Sequence, residues 1–194
     1  EAFSSEQVLA QLDLNIVCTV RMAKAVLPGM RAQKSGLIIQ VSSIAGRACF
    51  PAFGVYHASK WGLEGLSEAM RYELSVHGID VVLVEPGPFE TKFLDNVVPG
   101  MDGEIGQAYA HVNEFFAGFK TNVNALLQDE NAPTDPMLVV EAFEKLIETP
   151  AGERPLRTIV GIDFGFTAIN DAVEPIRTKV CEDSGFGEWD GPKA

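Results

Sequence analysis

Two short apolar runs rich in β-branched residues, Leu37-Ile38-Ile39-Gln40-Val41 and Ile79-Asp80-Val81-Val82-Leu83-Val84, flank a helical pattern from about Val55 to His77. A strand that is apolar throughout has both faces buried, and strands joined by a helix pair in parallel. This strand–helix–strand order constrains the chain more than any other feature and predicts an α/β fold with a parallel sheet. A third strand is expected at Arg157 to Val160. Ligands of such sheets bind beyond the C-terminal ends of the strands. The polar residues to weigh therefore stand at Ser42-Ser43 and around Pro86-Gly87-Pro88.

The remaining pattern is helical or irregular. Val8, Leu12, Asn15, Ile16 and Thr19 recur at helical spacing, so a helix is predicted from Ser5, as its cap, to about Gln33, with Pro28 and Gly29 bending or ending it. Pro136 opens a helix to about Glu148, and another covers about Thr167 to Asp183, interrupted or bent at Pro175. Residues 89–135 read as irregular with helical pieces, and the glycine-rich, acidic tail over 184–194 reads as mobile. The 194 residues suffice for one domain with its own core.

Composition narrows the function. Acidic residues outnumber basic ones 27 to 15, for a net charge of -12, whereas a protein that neutralises nucleic-acid phosphates is basic. No run reaches the roughly 20 apolar residues of a membrane-spanning helix, and no secretory signal is visible. Cys18, Cys49 and Cys181 are odd in number and lack a C-x-x-C, which reads as reduced thiols in a cytoplasmic setting. His57, His77 and His111 form no zinc-binding pattern, so no metal is expected.

Ser43 directly follows the first strand, Tyr56 comes thirteen residues later, and Lys60 four beyond that. Positions i and i+4 of a helix share a face. A free tyrosine ionises near pH ~10, and an adjacent ammonium favours its phenolate. With a serine hydroxyl on the opposing strand end, the three make a proton-transfer site. Taken singly, each residue has a plain structural reading: a packing tyrosine, a solvated lysine and a turn-forming serine.

Together these segments resemble the short-chain dehydrogenase/reductase family. Ile39-Gln40-Val41-Ser42-Ser43-Ile44-Ala45-Gly46 resembles its strand-five motif, and Tyr56-His57-Ala58-Ser59-Lys60 its active-site motif. Glu85-Pro86-Gly87-Pro88-Phe89-Glu90-Thr91 resembles its P-G-x-x-x-T segment, and Asn15 falls at the family's helix asparagine. The resemblance implies a Rossmann-like doubly wound sheet and an NAD- or NADP-dependent oxidoreductase. Hydride would pass between the nicotinamide and a carbonyl or secondary alcohol. Tyr56 would be the acid–base group, Lys60 would lower its pKa and hold the nicotinamide ribose, and Ser43 would polarise the substrate oxygen. Asn15 would steady a water in the relay to Lys60, and Pro86, Gly87 and Thr91 would contact the nicotinamide end of the cofactor. The two long helices match those of the family's four-helix dimer interface, which implies a homodimer or homotetramer.

The chain departs from the family in one respect. No G-x-G-x-x-G loop opens a βα unit, and the chain starts at Glu1. By resemblance it begins in the helix after strand four, with roughly 90 residues and the N-terminal βαβ units upstream. The single domain over 1–194 is then an incomplete Rossmann-like domain whose first strand forms an apolar edge. Residues 89–135, with Phe89, Phe93, Phe115, Phe116 and Phe119, stand where the family has its substrate loop. They form either core packing or an apolar lid over a hydrophobic small-molecule substrate. Two other readings compete: an inactive fragment or pseudo-enzyme working as a dimerisation module, and an epimerase or dehydratase of nucleotide sugars.

Overall fold

A computed structural model describes residues 1–100 and 103–193. Residues 101–102 of the expected substrate loop and residue 194 of the expected mobile tail lie outside the described residues. The chain runs through α1 (Ser5–Leu12), a π-helical turn (Asp13–Val17), α2 (Cys18–Gln33), β1 (Gly36–Val41), a 3-10 turn (Ile44–Gly46), α3 (Gly54–Ser75) and β2 (Ile79–Pro86). Then follow a 3-10 turn (Leu94–Asn96), α4 (Gly103–Ala108), α5 (Ala110–Leu127), α6 (Met137–Glu148), β3 (Arg157–Val160), α7 (Phe166–Asp183) and a 3-10 turn (Gly187–Trp189).

The three strands form one parallel sheet in the order β1-β2-β3, the α/β arrangement expected. Central β2 is buried along its length, with Val81, Val82, Leu83 and Val84 all at 0% exposure. Each such side chain contributes about 1.5–3 kcal/mol of hydrophobic stabilisation. Its alternating side chains serve two layers. Ile79 and Val81 pack with Ala23 of α2 and Met70 and Leu74 of α3. Val82 and Val84 pack on the other face with Leu146 of α6 and Val160 of β3. Helices therefore cover both faces. Among the described residues β1 is one of the two edge strands, and its last residue, Val41, is 47% exposed.

Several local expectations are corrected. The helix cap is Ser4, not Ser5: its Oγ accepts from Gln7 N–H and the Gln7 side chain answers at Ser4 N, a capping box. Pro28 and Pro175 do not end their helices. Each forgoes one hydrogen bond that the burial of the helix face offsets. The helical pieces expected within 89–135 include one long element, the 18-residue helix α5 over 110–127. Its apolar stripe, Val112, Phe116, Phe119 and Val123, has helical spacing, but its N-cap Tyr109 makes no side-chain cap that would mark a start. The tail is tied down rather than free. Asp190 accepts from Arg71 Nε at 2.9 Å and from Arg177 Nη2 at 2.7 Å, and Gly191 and Pro192 are buried. Among the described residues, no helix is long and apolar enough to cross a membrane.

Candidate active site

The parallel register brings the ends of β1 and β2 together. Val41 pairs with Val84, and Ser42 N–H continues the ladder to Val84 O at 2.8 Å. Ser43 leaves the sheet in an extended conformation and caps the turn Ile44–Gly46, its Oγ accepting from Ala45 N–H at 3.1 Å. The same hydroxyl donates to Pro86 O, at the end of β2, at 3.3 Å. Ser43 is thus held by two strands at once.

The segment between Ser43 and Tyr56 is pinned by His57, a residue to which the motif assigns no role. His57 is 1% exposed. Its Nε2 accepts from Phe50 N–H at 3.1 Å, which leaves the ring proton on Nδ1 to donate to Ala45 O at 2.8 Å. This clamp fixes the distance between the serine turn and α3.

Tyr56 lies in the first turn of α3, half-buried, with its hydroxyl against Ser43. Burial pushes its pKa above the usual value of 10, and the Ser43 hydrogen bond pulls the other way without prevailing. The lowering expected from Lys60 is not among the influences on this phenol. Lys60 Nζ lies 5.8 Å from the Tyr56 ring centroid and donates to Val41 O at 2.9 Å. Burial brings the Lys60 ammonium down to about 8, opposed by the nearby Glu64 carboxylate. The phenol is thereby kept in its proton-donating form.

Asn15 reaches this group from the π-helical turn. Its Nδ2 donates to Ser59 Oγ at 2.8 Å, and Ser59 donates to Tyr56 O at 2.7 Å. Its connection therefore runs to the backbone of Tyr56, with Ser59 as the link. Pro86 and Gly87 stand at the end of β2, where Gly87 N–H donates to Val160 O at 2.9 Å. The Ile162 carbonyl lies so close to Gly87 that a Cβ there would collide with it. Thr91 is exposed, and its Oγ1 accepts from Phe93 N–H at 3.3 Å.

One wall of the site is aromatic. Phe93 packs on Tyr56 with centroids 5.4 Å apart and is itself 50% exposed. Phe50, Phe53, Phe116 and Phe119 form a connected cluster packed on His57, with Phe50 and Phe119 stacked at 6.0 Å and Phe53 on Phe116 at 5.5 Å. The stretch over 89–135 thus supplies both packing, through Phe116 and Phe119, and an exposed ring, Phe93, above the tyrosine.

Comparison with known proteins bears on the family and the fold. The family model described as short chain dehydrogenase matches residues 1–102. The 17-beta-hydroxysteroid dehydrogenase type 1 of Mus musculus is 34% identical over 150 residues, covering 77% of this chain and 43% of its own length. The 3-ketodihydrosphingosine reductase of Bacteroides thetaiotaomicron is 34% identical over 161 residues, covering 83% and 57%. This chain thus spans about half the length of these curated relatives. A solved short-chain dehydrogenase from Streptomyces avermitilis superposes with a TM-score of 0.65 at 27% identity, over 92% of this chain and 61% of that one. A Burkholderia cenocepacia short chain dehydrogenase solved with NADP shares the fold, with a TM-score of 0.55 at 22% identity.

Proposed function

Because this chain belongs to the short chain dehydrogenase family, we propose that it carries the acid–base centre of an NAD- or NADP-dependent oxidoreductase acting on a bulky, apolar carbonyl or secondary alcohol. The observation that carries the reading is the meeting of the Ser43 hydroxyl and the Tyr56 phenol at the ends of β1 and β2, with the Lys60 ammonium one helical turn away. The nicotinamide, when bound, supplies or accepts the hydride.

The residues present suit that group's nicotinamide end. Lys60 offers an ammonium at the strand end, Thr91 an exposed hydroxyl, and Pro86 and Gly87 a stretch of backbone held at the end of β2 by the Gly87 N–H bond to Val160 O. In the reducing direction, Tyr56 donates its hydroxyl proton to the substrate oxygen. Its raised pKa keeps that proton available until charge develops on the oxygen. Ser43 donates to the same oxygen in place of its long bond to Pro86 O. The Lys60 charge stabilises the phenolate left behind. Asn15, through Ser59, holds the backbone turn from which Tyr56 projects.

The substrate class rests on Phe93, half-exposed against Tyr56, which presents an apolar surface to whatever meets the phenol. Two relatives are named for a hydroxysteroid and a ketodihydrosphingosine, which supports a large apolar ketone or alcohol here. We further propose self-association through α1, the π-helical turn, α2 and α3. Leu14 (67% exposed), Met22 (63%) and Trp61 (47%) leave an apolar face open to a second copy. The free cysteines support a reducing, cytoplasmic setting.

The test is oxidation of NADH or NADPH by the protein as its gene encodes it, against steroid and long-chain ketones. Tyr56→Phe is expected to lower kcat by about 10²–10⁴ with little change in KM. Wild-type turnover by that variant would remove Tyr56 from the reaction. Sedimentation of the same sample reads the oligomer.

A further inference from the structure

Behind the reacting groups lies a second cluster that the mechanism above does not use. Ser42 and Glu85 are lateral neighbours where β1 and β2 end. The alternation that sends Ile38 and Val81 toward α2 and α3 places both on that same face. Glu64 comes from α3 one turn beyond Lys60, Arg47 follows the Ser43 turn, Arg157 comes from β3, and Asn170 from α7. Glu64 is 3% exposed and Glu85 is wholly buried. Arg157 donates to Glu64 Oε2 at 2.8 Å and to Glu68 Oε2 at 2.7 Å. Glu85 accepts from Asn170 Nδ2 at 2.5 Å, and its Oε1 lies 3.6 Å from Arg157 Nε and 3.8 Å from Arg47 Nε. Glu64 Oε1, Glu85 Oε1 and Ser42 Oγ are buried without a hydrogen bond from the described residues.

A buried ion cluster is a poor way to gain stability, since apolar residues of equal volume often do as well. The position of this one gives it another use. Glu64 presses on Gly46 so closely that a Cβ at Gly46 would lie 2.9 Å from Glu64 Cγ and 3.0 Å from Ser42 Oγ. Gly46 closes the turn that Ser43 caps. Glu64 thus abuts the serine turn while standing at i+4 from Lys60 on the same helix face. Its charge acts to keep Lys60 protonated against the burial that lowers it.

We propose that Glu64, oriented by Arg157, is a positioning residue of the acid–base centre: it is the counter-charge of the Lys60 ammonium and the buttress of the turn that carries Ser43. The proposal rests on the reading of Ser43, Tyr56 and Lys60 as the reacting groups. The groups facing Lys60 are Glu64 and Tyr56 on α3 and the Val41 carbonyl on β1. Those facing Glu64 are Arg157 on β3 and Glu85 on β2, with Arg47 of the serine turn lying against Glu85.

The experiment is Glu64→Gln in the natural protein, with lysine side chains carbon-labelled and titrated by NMR and the Lys60 signal identified by its loss in Lys60→Met. The Lys60 midpoint is expected to move to lower pH. The alkaline limb of NADPH-dependent ketone reduction should move with it, at about tenfold loss of rate per unit above the new midpoint. Glu68→Gln, which removes a different Arg157 partner, should leave both unmoved. An unchanged Lys60 midpoint in Glu64→Gln overturns the proposal. Should that variant not fold, Glu64→Asp carries the test. It keeps the charge but draws back from Gly46, so kcat should fall several-fold with the Lys60 midpoint in place, and an unchanged kcat overturns the buttress. The NMR midpoint judges Glu64 without substrate. If Tyr56→Phe keeps full activity, the reaction assignment fails independently.

Discussion

Replacing His57 with phenylalanine isolates what the clamp between the serine turn and α3 contributes. The ring volume is nearly kept, as are the edge contact with Phe50 at 4.6 Å and the looser one with Phe53 at 6.2 Å. Both hydrogen bonds are lost. The Ala45 carbonyl lies in a residue only 4% exposed and finds no water in exchange, which costs about 1–3 kcal/mol. The Phe50 N–H belongs to a half-buried residue and is partly rehydrated, adding about 1 kcal/mol. The added apolar ring atoms return a fraction of this, leaving a net loss of about 2–3 kcal/mol. With a urea slope near ~2 kcal/mol per molar, the unfolding midpoint should fall by about 1–1.5 M. Turnover should fall further than stability alone explains, because Ser43 and Tyr56 are set by this span. A midpoint within about 0.3 M of the wild type would show that the two hydrogen bonds do not hold the loop, and the account of the site's rigidity would be wrong.

Gly46→Ala forces a Cβ against Glu64 Cγ and Ser42 Oγ, and a thermal melt should register about 1–3 kcal/mol of destabilisation. Glu85 is pushed up to about 7 by burial and by Glu64, against Asn170, Arg47 and Arg157. A carboxyl raised in the folded state favours folding when protonated, so its contribution is complete below about pH 4.5 and lost as pH rises through about 7. Glu85→Gln should flatten that segment of the stability–pH curve, and an unaltered slope would place the titration elsewhere. Asp190→Ala strips Arg71 and Arg177 of a shared carboxylate, at a cost of about 2–4 kcal/mol, and should open residues 186–193 to limited proteolysis. If the variant resists the protease like the parent, other contacts hold the tail.

The sheet was legible in the sequence because strands covered on both faces are apolar nearly throughout. Leu37 to Val41 and Ile79 to Val84 carry that mark, each interrupted by one polar residue, Gln40 and Asp80. The pairing of Tyr56 with Lys60 was legible for a similar reason, since helical periodicity alone sets i and i+4 on one face. Ser43 was placed by its position at a strand end. Helix α5 was readable in principle from its apolar stripe, but without a capping residue nothing marked its beginning. Asn15 could be singled out, yet its partner, Ser59, is 44 positions away. The Glu64–Arg157 bond spans 93 positions, and Asn170 reaches Glu85 across 85.

Local chemistry therefore determined the strands, the long helices and which residues make up the proposed proton-transfer group. The tertiary structure decided the rest: that burial outweighs the Ser43 hydrogen bond in setting the Tyr56 phenol, that a core histidine clamps the serine turn, and that buried carboxyl groups stand behind it. Those outcomes depend on the desolvation of one group by residues far along the chain, a quantity that takes a value only once the sheet and its helices have closed around it.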